Sequence, residues 1–298
     1  MVVSAKSTTP EADLAKLTPF PPDPNSPKST ITTVAREITL AGGETTAIPA
    51  DTTDYPSIQR LVAKTVEASF SPFHNNPFSS LTRQPQTYGR LDVLVYNSGA
   101  IWWAPVERTP MKRFQLMQRV NVEGLYGAVQ EALPHLKQRS TGRIVVVCPP
   151  IYSRFFRGKT AYAMGKVGMS VLVKGLAVDF EREGLKEMGV VGIWPAVAIE
   201  SGATRQFTEK DPSYAKDLRK ATIFSDAILA MIKAPGSVIN GQLELDEDFL
   251  RRHAGVTDFS KYSLVPGASP RRIMPAELPD LTVKEQDDEG MRNDSSKL

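Results

Sequence analysis

The chain has 298 residues, of which 41% are hydrophobic and 23% charged, and its formal net charge is +3. That is enough chain for a sizeable core of ordinary globular composition, and the charge is too small for this length to imply nucleic acid. The single cysteine, Cys148, excludes an intramolecular disulfide and fits a reducing compartment. The three histidines, His74, His135 and His253, show no zinc spacing, so no metal site is expected. No apolar run approaches the roughly 20 residues of a membrane span, and the N-terminus carries no signal-peptide apolar region.

In chain order, residues 1–6, MVVSAK, predict a short buried strand, and residues 8–28 hold several prolines and predict a loop. Residues 29–40 are helical in pattern, and Gly42-Gly43 stands where a helix C-cap turn belongs. The next strand, 44–50, ends at Asp51, an N-cap candidate for the helix pattern that starts near Tyr55. Residues 70–88 lose all periodicity and predict a surface insertion. LDVLVY at 91–96 is a continuous apolar strand of the kind that parallel sheets bury on both faces. Asn97-Ser98-Gly99 follows at its carboxyl end, where ligands of open α/β sheets sit, and Gly99 lets a cofactor approach the backbone. Trp102 and Trp103 read as core or interface residues ahead of substrate-mouth residues. Residues 111–138 predict one long amphipathic helix carrying Asn121 and bent near Pro134.

Residues 143–147 predict another strand, followed by Cys148-Pro149-Pro150. Then comes TAYAMGKVGMS at 160–170, where Tyr162 and Lys166 stand four residues apart. On a helix this spacing puts phenol and ammonium on one face, about 5–6 Å apart at Cβ. A phenol has an unperturbed pKa of about 10, and a neighbouring positive charge would bring it toward working pH. The pair can be a proton-transfer device, or simply a packed ring beside a solvated amine. Strands are expected at 190–194 and 241–246 and a helix at 223–233, with a polar, mobile loop at 202–220 and an irregular tail from 249 to 298.

Asn-Ser-Gly after one strand, Asn121 on the following helix and Tyr-x-x-x-Lys after the next strand together resemble the short-chain dehydrogenase/reductase family. TPMKRFQLMQRVNVEG, CPPIYSRFFRGKTAYAMGKVGMS and WPAVAIES are similar to its hydroxysteroid dehydrogenase-like, peroxisomal branch. The resemblance covers about residues 1–248. It implies an α/β fold, a Rossmann-like doubly wound parallel sheet, here N-terminally truncated because the first strand, the glycine-rich turn and the first helix are not found. Residues 1–248 would form the dehydrogenase domain and 249–298 a tail.

By the same resemblance, Tyr162 is the acid–base residue, Lys166 lowers its pKa and holds the nicotinamide ribose, and Asn121 holds a relay water at its carbonyl. Cys148 stands where the family has a serine donor, with Ser153 as the runner-up. Lys6 would face the 2′-phosphate of NADP, favoured over NAD, and Asp51 the adenine edge. Asn97 and Gly99 would line the cofactor, and Ile199 and Ser201 would touch its carboxamide. The expected activity is an NADP(H)-dependent interconversion of a carbonyl and an alcohol on a lipid-like or other small organic substrate. The alternative is a catalytically impaired binding or dimerisation partner. A homodimer is implied, and Ser296-Lys297-Leu298 has the form of a peroxisomal address read by an import receptor, with the cytoplasm as the location if it is not read.

Overall fold

A computed structural model of the chain describes residues 1–14, 29–67 and 89–279. The insertion expected at 70–88 and the terminal tripeptide lie outside the described residues. The body is built on four parallel strands, β3 (Val93–Tyr96), β4 (Arg143–Val146), β5 (Gly189–Trp194) and β6 (Gln242–Leu245), hydrogen-bonded in that order. Side chains alternate across a strand, and β4 shows the result: Ile144 and Val146 enter one core cluster while Val145 enters another. Helices therefore cover both faces. On one side lie α5 (Gly124–Lys137) and α6 (Thr160–Arg182), and on the other α8 (Thr222–Lys233) and α10 (Asp246–His253).

A second, two-stranded parallel sheet joins β1 (Val2–Val3) to β2 (Thr46–Ala47), with Val2 opposite Thr46. Ahead of α2 (Ile31–Leu40) runs the short helix α1 (Glu11–Leu14). A capping box starts α2, with Thr30 and Thr33 each serving the other's backbone N–H. Among the described residues no strand bonds the remaining edge of β1 or of β3. The segment after β2 ties the two sheets together. Arg119 Nη2 donates to the Thr53 carbonyl at 2.9 Å, and α3 (Tyr55–Val66) packs along α5, its Tyr55 hydroxyl donating to Gln130 at 2.9 Å. Gly124 sits at this junction, where a Cβ would come within 2.5 Å of the Tyr96 hydroxyl and 2.7 Å of the Thr52 carbonyl.

The long helix expected over 111–138 is interrupted, and not at its proline. It consists of α4 (Met111–Gln118), a π turn at Arg119–Glu123, and α5, inside which Pro134 is accommodated. The polar segment after β5 is likewise structured, with the helix α7 (Arg205–Lys210) and a 3-10 turn at Pro212–Asp217. A short helix, α9 (Gly236–Ile239), precedes β6.

The boundary expected at 248 falls inside α10, whose Phe249 and Leu250 join the α8 core. Residues beyond α10 pack back on the body. Val197 bridges to Arg272, Arg219 bridges to Ser263, and Met274 lies against Ala196 and Leu245. The buried Arg219 anchors this return, donating to Glu247 at 2.8 Å and to the Phe259 carbonyl at 2.9 Å. The 23-residue α6 is long and apolar enough to cross a bilayer by length and composition, but 56% of that stretch is buried inside the body, as in a core helix.

Candidate active site

Tyr162 and Lys166 occupy the first two turns of α6 and are both buried, at 2% and 4% exposure. Lys166 Nζ donates to the carbonyl of Val147, just past β4, at 2.8 Å, and lies 5.7 Å from the Trp194 ring. Burial lowers its pKa from 10.5 to about 8, because an ammonium out of water loses hydration. Burial also raises the Tyr162 phenol well above its ordinary value. The expected lowering by Lys166 is therefore not found in this state. The ammonium is engaged by a carbonyl, and the ring is shielded from solvent by others, so the phenol is held protonated.

Gly99 closes the site from β3. A Cβ there would lie 3.4 Å from Lys166 Nζ and 3.6 Å from Asn121 Oδ1, so the bare backbone comes up close against both side chains. Asn121 is fully buried in the π turn, accepting from the Ala100 N–H at 2.9 Å and donating to the Ala100 carbonyl at 3.1 Å. Its side chain thus fixes the loop after β3, and the extra residue of the π turn is what brings it there. Such turns recur at functional sites. Asn97 is exposed beside this loop.

Aromatic rings wall the phenol. Trp103 meets Tyr162 edge-on at 6.2 Å, Phe155 lies 6.1 Å away, and Trp194 packs edge-on against Phe155 at 5.4 Å. Phe207 of α7 stacks on Trp103 at 6.0 Å and touches Tyr214 at 5.6 Å. Trp103 is 40% exposed, so it does not lie in the core, whereas Trp102 packs against the cluster that holds Tyr162. Phe155, Trp194 and Phe207 come from three separate segments, so no local spacing could have flagged them.

The expected residues that follow β4 and β5 are placed as follows. Cys148 is fully enclosed in the core cluster behind β4, facing Gly192, and burial pushes its thiol up to about 12. It is not presented to a substrate at Tyr162. Ser153 opens a 3-10 turn, Ser153–Phe156, and its side chain lies outside what is described. Ile199 packs toward the α8 core, its carbonyl accepting from the buried Thr204 hydroxyl at 2.9 Å. Ser201 N–H donates to that same hydroxyl at 2.9 Å, so Thr204 shapes this turn.

Lys6 and Asp51 meet each other, at 2.7 Å, beyond the ends of β1 and β2. Burial opposes the charge on Asp51, but Lys6 and the Thr53 backbone and hydroxyl outweigh it and hold the carboxyl at about 2. Asp51 is not the cap of α3, since Asp54 holds that position.

The short chain dehydrogenase family profile matches residues 79–211. A hydroxysteroid dehydrogenase-like protein 2 of Danio rerio is 32% identical over 248 residues, 83% of this chain and 53% of that protein. The chain thus spans about half the length of the curated relatives it matches. A solved short chain dehydrogenase from Mycobacterium thermoresistibile is 30% identical with a TM-score of 0.71, covering 90% of this chain and 83% of that one. A solved protein of Xanthomonas campestris, provisionally assigned as a dehydrogenase, is also 30% identical with a TM-score of 0.71, covering 95% and 88%.

Proposed function

The chain belongs to the short-chain dehydrogenase family, and from that premise we propose that it is an NADP(H)-dependent oxidoreductase interconverting a carbonyl and an alcohol on a small organic substrate. The observation that carries this reading is the pairing of a buried, protonated phenol with a buried ammonium beside the bare Gly99 backbone. The nicotinamide end of a dinucleotide fits the residues present: Tyr162, Lys166, Asn97 and the bare Gly99 backbone would hold it. For the pyrophosphate, no described strand leads into a glycine-rich turn, so no residues are assigned to it. When bound, the nicotinamide supplies the hydride.

Tyr162 delivers the proton to the carbonyl oxygen, a task for which general acid catalysis contributes about 10²–10⁴-fold. Lys166 stabilises the phenolate left behind, and the Asn121 carbonyl holds the water that returns a proton through the lysine. The aromatic wall excludes bulk water from these steps. Lys6, at the end of β1, is the group that favours a 2′-phosphate, releasing Asp51 as it does so.

Exposed apolar side chains on the α5 and α6 helices, Tyr126, Met164 and Val171 at 61%, 57% and 59% exposure, support a homodimer through this face. Delivery to peroxisomes through Ser296-Lys297-Leu298 belongs to the same proposal, and fusing the last ten residues to a fluorescent protein tests it. For the activity, calorimetric titration with NADPH and NADH comes first. Tighter binding of NADPH, reversed in Lys6→Glu, supports the reading. No heat from demonstrably folded protein would favour the impaired-partner alternative.

A further inference from the structure

Lys159 immediately precedes α6, three residues before Tyr162. Its ammonium lies 4.2 Å from the Phe155 ring centroid and 5.6 Å from that of Trp103. Both rings are also neighbours of the phenol, at 6.1 and 6.2 Å. The cation and the tyrosine therefore border the same two rings. Among the described residues no carboxylate pairs with Lys159, whereas Lys166 on the same helix is held by the Val147 carbonyl. Burial lowers its pKa, so the charge is held against a desolvation penalty that an anion would relieve. As N-cap of a 23-residue helix it offers no side-chain acceptor to the first N–H groups, and the positive helix end adds to the preference for an anion.

The second observation is the exposed aromatic surface next to it. Trp103 and Phe207 stack with 20° between their planes yet remain 40% and 37% exposed, and Tyr214 extends the patch. Exposed ring faces beside a buried polar group offer an apolar chain a surface to lie on.

Resting on the carbonyl–alcohol reading above, we propose that the substrates are amphiphilic oxo acids. The carboxylate, a few bonds from the carbonyl, docks on Lys159, the carbonyl reaches Tyr162, and the apolar remainder lies on Trp103, Phe207 and Tyr214. The bland role for Lys159, a cation satisfied by aromatic faces, would affect stability equally with any ligand and would give no charge preference. Anions carried far from the carbonyl, as on a large nucleotide-type ester, do not fit, because cation and phenol are separated by single rings.

The test is binding of 4-oxodecanoate and of its neutral counterpart 4-oxodecanamide, read by calorimetry and tryptophan fluorescence, on wild type, Lys159→Met and Lys159→Arg. A charge-assisted contact should give the carboxylate about a tenfold advantage in wild type. Lys159→Arg should keep that advantage, and Lys159→Met should lose it without weakening the amide. Equal affinities in wild type, no binding of either compound, or a preference that survives Lys159→Met would overturn the proposal. NADPH-dependent turnover is measured separately. A charge preference without turnover sinks the reductase reading and leaves the anion site standing, whereas equal turnover of acid and amide sinks the anion site alone.

Discussion

Lys166, at the carboxyl ends of β3 and β4, is buried and held by a carbonyl, and its pKa moves because water is excluded. Lys6, at the end of β1, is 58% exposed and held by Asp51, and there the carboxylate moves because its partner and Thr53 outweigh a small burial penalty. One lysine is set by packing, the other by a partner that any competing anion can displace. Proton chemistry needs the first kind of environment, since only a buried group keeps a perturbed pKa whatever the salt. Choosing between two cofactors needs the second, since an exposed ion pair is worth little and exchanges easily.

The largest effect expected from breaking this contrast is at Tyr162. Tyr162→Phe should lower turnover by about 10²–10⁴-fold with an unchanged circular dichroism spectrum and melting temperature, and residual activity near wild type would remove the phenol from the mechanism. Lys166→Met should come next, with a loss of about 10²-fold or more and the disappearance of an alkaline limb. In wild type kcat/KM should fall as pH rises through about 8, because the ammonium is lost there. A limb near 10 instead would mean that the lysine is not desolvated during turnover.

The same group gives a stability test. Between about pH 8 and 10.5 the unfolded chain carries a proton on Lys166 that the folded chain lacks, so stability should rise with pH across that window. The rise, on the order of 3 kcal/mol, should be absent in Lys166→Met under denaturant titration. A smaller effect is expected at the junction of the two sheets. Gly124→Ala forces its new Cβ against the Tyr96 hydroxyl and the Thr52 carbonyl and should destabilise by about 1–3 kcal/mol, with hydrogen exchange accelerating in β1, β2 and α3 before the four-stranded sheet. Smallest of all, Lys6→Ala should change stability by less than about 1 kcal/mol, and less still in high salt. Its effect should appear instead in the NADPH-to-NADH affinity ratio.

What the sequence alone disclosed follows the same divide. LDVLVY, the strand at Arg143 and the one ending at Trp194 are continuous apolar runs, and each appears within a residue or two of its expected place. The strands at 1–6 and 44–50 shrink to two residues each, because β1 has no partner on its other side to extend the ladder. α10 went unseen because DEDFLRRH is almost all charge, and its helical face rests on Phe249 and Leu250 alone. Tyr162 and Lys166 were legible from spacing, since a helix converts four residues into one face. Which way Cys148 points was not, because a strand end can turn its side chain to either side of the sheet. The aromatic wall and Lys159 were hidden for a different reason: their partners come together only through folding.

The π turn at Arg119–Glu123 makes the count of residues in this segment matter as much as their kind. Each residue of an α-helix turns the chain by about 100°. A π turn spends one residue more than an α turn on about the same rotation, so removing that residue would restore a regular helix with everything after it on its present face. Leu125, Val129, Ala132 and Leu136 would stay against the sheet, while Asn121 would leave Ala100. A one-residue deletion in this turn should therefore spare the fold and disturb the site, which separates the spacing that positions the loop after β3 from the spacing that carries the helix.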